Sequence, residues 1–130
     1  MATWRDVRSF VRREYQVMSE DSDEIRILFE FDDERSQVIV LVREVLDRRE
    51  EWVQIASPIG LAANIDLKAI LEEVGHRSVV GGLVIMGEHL AVRHSLPLAN
   101  LDINELVDPL HLLAGTADHL EELFGGGDHF

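Results

Sequence analysis

Residues 36–46 read SQVIVLVREVL, a segment whose side chains are apolar on both faces of an extended chain. Side chains alternate along a strand, so one face carries valines and the other carries isoleucine and leucine. The two sets are Val38, Val40 and Val42, and Ile39 and Leu41. A strand that is apolar on both faces is typical of a central strand covered on both sides. We therefore predict that this segment lies in the middle of a sheet.

The segments that precede and follow residues 36–46 in the sequence predict two more strands. In EIRILFEF, 24–31, apolar and polar positions alternate as in a half-buried strand. EWVQIAS, 51–57, is a third strand, and we expect Pro58 to end it because proline has no N–H for the sheet. The polar turns between these segments are short, which favours an antiparallel meander. The preceding SEDSDE, 19–24, is predicted to be a loop.

Two further strands are predicted as a hairpin. VVGGLVIM, 79–86, and HLAVRHSL, 89–96, are joined by Gly87 and Glu88, and glycine in the first position of a two-residue loop favours a type II′ turn. The pair Gly81 and Gly82 predicts a bulge or a close approach by another backbone. A pairing edge or a groove for a partner is the functional alternative.

Three helical regions complete the pattern. Thr3 and Asp6 are a capping pair for a first helix, and DLKAILEEVG, 66–75, has an apolar stripe, with Asp66 as its N-cap and Gly75 at its end. A third region begins at Asp102. Its stripe fits either a coiled-coil seam or docking on the protein's own sheet, and comprises Leu106, Leu110, Leu113, Ala117, Leu120 and Phe124.

The third region is interrupted at Asp108 and Pro109, where we expect either a kink or a short helix followed by a longer one. The expected domain is a single unit over residues 1–125, and the glycine-rich end, 126–130, is expected to be a mobile tail.

Composition excludes several classes of function. The chain has 130 residues and a formal net charge of −13, so a surface for nucleic acid is not expected. It has no cysteine, which excludes disulfides and thiol catalysis. There is no signal-peptide pattern and no apolar run of membrane-spanning length. These features predict a cytoplasmic protein that does not bind membranes.

The stretch RHSLPLANLD at 93–102 has an Arg, a His, a Ser, an Asn and an Asp within ten residues, and it resembles a catalytic site only in its composition. His94 and Ser95 are adjacent on a strand and point to opposite faces, so they cannot act together as base and nucleophile. The six histidines form no HExxH pattern, and no phosphate-binding loop is present. We predict no catalytic residues, no metal ligands and no cofactor, and hence a protein that is not an enzyme.

Three segments, VQIASPIG at 53–60, GEHLAVRHSLPLANLD at 87–102 and ADHLEELFGG at 117–126, resemble the YbjN-type family of the type III secretion chaperone-like superfamily. The element order α-β-β-β-α-β-β-α fits the same resemblance. It implies an α+β sandwich with a five-stranded antiparallel sheet, helices packed on it, and a homodimer. Chaperones of this superfamily are small and acidic and bind extended client segments, whereas the YbjN branch is described as bacterial sensory transduction regulators.

The resemblance and the missing catalytic set together predict a non-enzymatic protein-binding module, chaperone-like or regulatory, for an extended or apolar segment of a partner protein. The residues expected at the partner surface lie on the first helix and at the start of the hairpin, and the same residues could be ordinary core. They are Trp4, Val7, Phe10, Val11, Gly81 and Gly82. The alternative is a sensor with a small-ligand pocket between sheet and helices, near Arg93 and His94.

Overall fold

A computed structural model of the chain describes residues 2–77 and 81–125. Within these ranges the chain forms one antiparallel sheet of six strands and three α-helices, so the α+β class is confirmed. The elements, in chain order, are α1 (Trp4–Glu14), β1 (Gln16–Glu20), β2 (Glu24–Glu30), β3 (Ser36–Leu46), β4 (Glu50–Leu61), α2 (Leu67–Arg77), β5 (Gly82–Met86), β6 (His89–Pro97) and α3 (Val107–Phe124). Single 3₁₀ turns at Ala62–Asn64 and Ile103–Leu106 precede α2 and α3. The predicted tail, 126–130, and the first two residues of the fourth predicted strand, 79–80, lie outside the described residues.

The sheet order is β1-β2-β3-β4-β6-β5, so the expected five strands are corrected to six. The additional strand, β1, occupies residues whose second half was predicted as loop. Its sequence, QVMSE, shows no regular alternation of apolar side chains, and its register with β2 shifts between Val17 and Ser19. An irregular, largely exposed edge strand of this kind gives no periodic signal.

Strand β3 lies in the interior of the sheet, between β2 and β4, as its sequence predicts. The prediction that Pro58 ends the next strand is wrong, because β4 continues to Leu61. The register between β4 and β6 shifts between Pro58 and Gly60, and such an irregularity is where an interior strand can accept proline.

The core lies between the helices and one face of the sheet. On that face the large side chains of the inner strands have no exposed surface; they include Ile25, Ile27, Ile39, Leu41, Val53 and Ile55. The predicted stripe of α3 packs against them and is buried from Leu106 to Leu120. This stripe is therefore part of the chain's own core, and each large side chain in it contributes roughly 1.5–3 kcal/mol through burial.

The helix ends follow the predicted caps in most cases. Thr3 and Asp6 form the expected capping box on α1. Asp66 Oδ1 accepts a hydrogen bond from Ala69 N at 3.1 Å, as an N-cap should. The prediction that Gly75 ends α2 is wrong, since the helix continues to Arg77 and glycine costs a helix interior only about 1 kcal/mol.

The third helical region is a short 3₁₀ helix followed by a longer α-helix, but the two meet at Leu106 and Val107 and not at the predicted Asp108 and Pro109. The 3₁₀ turn Ile103–Leu106 follows the capping pair Asp102 and Glu105, and α3 starts at Val107. Pro109 lies in the first turn of α3, where its missing N–H has no helical acceptor to lose.

The hairpin of β5 and β6 has the predicted type II′ character, because Gly87 has a φ of 64° and Glu88 has no positive φ. Gly81 has a φ of 84°, and a Cβ atom at this position would lie 2.9 Å from the carbonyl oxygen of Arg93. The register from Gly82 to Met86 has no shift. Of the two predicted alternatives, the close approach of backbones is therefore the one observed.

Candidate interaction surfaces

The partner residues predicted on the first helix are not at the surface. Val7 and Val11 have no exposed area, and Trp4 and Phe10 are 5% and 7% exposed. The Trp4 indole N–H donates to the carbonyl oxygen of Ser22 at 2.8 Å, which joins α1 to the turn between β1 and β2. These four side chains belong to the core, so the folded chain does not offer them to a partner.

The other two predicted partner residues, Gly81 and Gly82, are exposed and lie where β5 begins. This strand is the last in the sheet and pairs with β6 alone among the described strands. From Gly82 to Met86 it reads GLVIM, without a charge or a proline. Within Gly82–Met86 its outer side is therefore a row of backbone donors and acceptors without the charge, proline or register shift that can protect an edge.

A groove between β5 and α2 lies beside this edge. It has a volume of about 170 Å³, and its lining is apolar throughout: Leu67, Ile70, Leu71, Leu83, Val84, Ile85 and Leu90. The side chains at its rim are well exposed, with Leu71 at 57% and Ile85 at 58%. We call the outer side of β5 together with this groove the β5 edge site.

The apolar stripe that the sequence predicts for α2 consists of Leu67, Ile70, Leu71 and Val74. The structure buries Ile70 fully but leaves Leu67 40% exposed. Helical spacing cannot separate these positions, because core leucines and groove leucines recur at the same interval. Their exposure follows from the position of α2 over the last strand, where no further strand continues the sheet.

The second surface is the face of the sheet opposite the helices, which we call the open face. Val38, Val40 and Val42 lie on it and are half-buried, and they do not belong to the core cluster. The prediction that β3 is covered on both faces is therefore correct, within the described residues, for only one of its two faces. The signal was present in the sequence, since β3 has two apolar faces and all three helices join the core on one of them.

A broad depression of about 400 Å³ runs across the open face. Its lining comes from all six strands and is mainly apolar: Met18, Glu24, Arg26, Val38, Val40, Val42, Ala56, Pro58, Met86, His89 and Ala91. One cross-strand row of register partners consists of Arg26, Val40, Ala56, Arg93 and Gly82. The neighbouring row contains the partners Leu28 and Val38, and then Pro58, Ala91 and Val84. Neither row contains an acidic residue.

A third concave region lies between α2 and α3. It has a volume of about 310 Å³, with Val74, Leu112 and Leu120 in its wall. His119 Nε2 is 3.2 Å from Glu73 Oε1 across this region, which joins the two helices. At its other side His111 Nε2 is 3.1 Å from the Tyr15 hydroxyl. Burial raises the pKa of Tyr15, and the neighbouring Glu14 charge raises it further.

The polar residues of RHSLPLANLD do not converge. His94 pairs in register with Ile55 and faces the core, whereas Ser95 pairs with Gln54 on the open face. Arg93 and His94 are not among the residues around the concave region between α2 and α3. Among the described residues no group of His, Cys, Asp and Glu is arranged to hold a metal ion. No helix in the described ranges is long and apolar enough to cross a membrane.

A charged cluster under the turn between β2 and β3 is structural. Arg35 Nε donates to Asp118 Oδ1 at 2.9 Å, and its guanidinium is 3.7 Å from the fully buried Glu121. Gln37, also fully buried, donates from Nε2 to the carbonyl oxygen of Pro58 at 2.6 Å. These contacts tie α3 and β4 to the start of β3 and face the core rather than solvent.

No protein-family model matches the chain, and no curated protein matches it. The likeness to the YbjN-type family therefore stays a prediction from the sequence.

Proposed function

We propose that this protein is a non-enzymatic protein-binding module, chaperone-like or regulatory, which binds an extended apolar segment of a partner protein at the β5 edge site and works as a homodimer. The observation that supports the proposal is the combination of an uncharged edge strand with an apolar groove beside it. The resemblance to the secretion chaperone-like superfamily points to the same class of function.

Strand addition explains how such a site would bind. An extended segment aligned with β5 satisfies the backbone donors and acceptors on the outer side of the strand. Every second side chain of the added segment then faces α2, because side chains of a strand alternate. Those side chains would enter the groove bordered by Leu67, Leu71 and Ile85, and the pockets for them would give specificity.

The charge of the chain limits the choice of segment. With a net charge of −13 the protein repels acidic segments and attracts basic or neutral ones. Glu72 and Glu73 of α2 and Glu88 of the β5–β6 turn lie close in sequence to the site. We therefore expect preferred segments to have apolar residues at alternate positions and lysine or arginine between them.

The test is a selection from a display library of short random peptides. Wild-type protein is compared with the double variant Leu71→Lys and Ile85→Lys, which places charge at the rim of the groove. The control is Leu112→Lys with Leu123→Lys on α3, where two leucines are 46% and 54% exposed. We expect selected peptides to bind wild type and control equally and the edge variant at least tenfold more weakly. Equal binding to all three proteins would contradict the proposed site.

Hydrogen exchange gives an independent readout of strand addition. A selected peptide should slow amide exchange at alternate residues of Gly82–Met86, because only outward-facing N–H groups gain a partner. Protection of residues around the α2–α3 region instead would place the peptide elsewhere.

The α2–α3 concave region supports a second candidate, a small-ligand-sensing regulatory domain. Its volume of about 310 Å³ and its mixed lining of leucines with Glu73, His111 and His119 are suited to a small, partly polar ligand. A thermal-shift screen with metabolites tests it: one compound that stabilises wild type and loses its effect in Gly115→Leu, a change in the lining, would favour this function.

A further inference from the structure

We propose that the open face is a dimer interface, on which a second copy of this chain packs sheet against sheet. This surface is the face of the sheet opposite the groove of the β5 edge site, and the two meet at Val84. It goes beyond the proposed function, because it names the surface on which two copies meet.

The residue types of the open face favour a dry contact. The half-buried valines of β3 lie beside Ala56 and Ala91, each 3% exposed, and form a low apolar strip, with Arg26 and Arg93 on either side of Val40 and Ala56. Two sheets that pack face to face are about 10 Å apart and fill the space with interdigitating side chains of this size. Two copies of one sheet also have the same twist, which suits packing at about −30°.

The charge distribution favours a second copy over an unrelated cover. A chain with a net charge of −13 repels its own copy over most of its surface. The two central rows of the open face contain no acid and contribute Arg26 and Arg93. The acids of this face lie toward the strand ends, at Glu24, Glu30 and Glu44. Within one copy Arg26 Nε is 2.9 Å from Glu24 Oε2. The open face is thus a surface on which the repulsion between two copies is weakest.

A twofold axis through Leu28 and Val38, running across the strands, pairs opposite charges. Arg26 and Glu30 lie two residues before and after Leu28 on β2 and point to the same face. The axis therefore places Arg26 of one copy opposite Glu30 of the other, and the reverse pair forms by symmetry. The same axis places the apolar row of Leu28 and Val38 against its own copy.

The size of the face sets the strength of the contact. Six strands about 4.8 Å apart give a width of about 24 Å, and six residues of about 3.3 Å give a length of about 20 Å. Each copy would bury roughly 500 Å², so the total of roughly 1,000 Å² is at the lower limit for a specific interface. We therefore expect a dimer that dissociates in the micromolar range.

Sedimentation equilibrium over a range of concentrations, with wild type and charge variants, tests the interface. Arg26→Glu and Glu30→Arg should each weaken the dimer at least tenfold, and the combination R26E with E30R should restore it. Arg5→Glu, an exposed change on α1, is the control and should leave the dimer unchanged. All three changed positions, Arg5, Arg26 and Glu30, are exposed, and circular dichroism checks that each variant is folded.

Cross-linking locates the contact, because the chain has no cysteine of its own. Val38→Cys, next to the proposed axis, should give a covalent dimer with a short bismaleimide. Leu71→Cys, at the β5 edge site, should not. A protein that stays monomeric at every concentration would overturn the proposal. So would a dimer whose dissociation constant is unchanged by the charge substitutions and which cross-links through a cysteine at position 71.

The proposed peptide-binding site and the proposed dimer interface can be tested independently. The edge variant with Leu71→Lys and Ile85→Lys should still dimerise, and the charge variant Arg26→Glu should still bind the selected peptides. Loss of dimerisation in the edge variant would mean that β5, rather than the open face, joins the copies.

Discussion

The two edges of the sheet differ in how they meet solvent. At β1 the register shifts between Val17 and Ser19, and the strand ends in Glu20, whose carboxylate contacts Arg8 and Arg12 of α1. At β5 the strand carries no charge and has a regular register to its end. A shifted register and a terminal charge hinder the pairing of another strand. The fold therefore hinders the pairing of another strand at the β1 edge and leaves the β5 edge available for such pairing.

The helices beside the two edges reinforce the contrast. Helix α1 closes the β1 side with fully buried valines and with the Trp4 bond to Ser22. On the β5 side Ile70 is the one fully buried residue among the described side chains of α2, and two leucines of this helix are exposed. Burial of apolar side chains at the β1 edge stabilises the fold. The apolar surface exposed at the β5 edge would be buried by a bound partner, and this burial would favour binding.

The largest expected effect comes from breaking the β1 side. Trp4→Ala removes a buried ring and its hydrogen bond, and we expect the free energy of unfolding to fall by about 3–5 kcal/mol. Leu71→Ala truncates an apolar side chain at the other edge, where exposure of 57% limits the loss to about 0.5 kcal/mol. Urea denaturation measures both. Similar losses would show that the β5 side is as much a part of the core as the β1 side.

An intermediate effect is expected where β5 begins. Gly81→Ala places a Cβ atom 2.9 Å from the Arg93 carbonyl oxygen at a φ of 84°, and strain of this kind costs about 1–3 kcal/mol. Gly82→Ala is the matched control, because a Cβ atom there meets nothing within 4 Å. We expect the control to be neutral or slightly stabilising in thermal unfolding. Equal destabilisation by the two changes would contradict the close approach to β6.

The smallest effect concerns the charge that terminates β1. The hydrogen bond from Arg12 holds the pKa of Glu20 below its usual value, burial opposes this, and the hydrogen bond from Arg8 adds to it. A lowered folded-state pKa stabilises the protein above the unfolded pKa, and this contribution is lost as pH falls through the folded pKa. Glu20→Gln should therefore cost less than about 1 kcal/mol at neutral pH and nothing in strong acid.

The control for Glu20 is Glu88→Gln, an exposed acid in the turn after β5. We expect this change to leave the free energy of unfolding at neutral pH nearly unchanged, because surface substitutions away from specific contacts have small effects. A Glu20 variant whose cost persists unchanged into strong acid would refute the role of the Arg12 and Arg8 contacts.

Regular periodicity predicted the inner part of the fold well. The alternation in β2 and β3 and the type II′ hairpin follow from side-chain spacing and a single glycine, and the structure has them. Two irregular parts, β1 and the end of β4, were not predicted because their apolar side chains follow no regular spacing. β1 has no alternation, and β4 passes through Pro58 at a register shift that only the partner strand defines.

The interaction surfaces were predictable in part. The pair Gly81 and Gly82 indicated a pairing edge or a groove at the start of β5. The two apolar faces of β3 indicated that both faces of this strand are covered by other chain segments. Trp4 and Phe10 were assigned to a partner surface because an amphipathic helix does not reveal what it packs against. Which leucines of α2 are exposed depends on where the helix crosses the sheet, and this is a tertiary property.

The sheet order has a consequence for synthesis of the chain. Strand β6 lies between β4 and β5, although it is the last strand in the sequence. Until residues 89–97 leave the ribosome, β4 is therefore an edge of a four-stranded meander, with a long row of unsatisfied backbone groups. The stripe of α3, which covers the same half of the core, arrives later still. The nascent chain thus exposes its most hydrophobic central strands before the segments that protect them exist, and a chain of this topology depends on fast closure of its last hairpin.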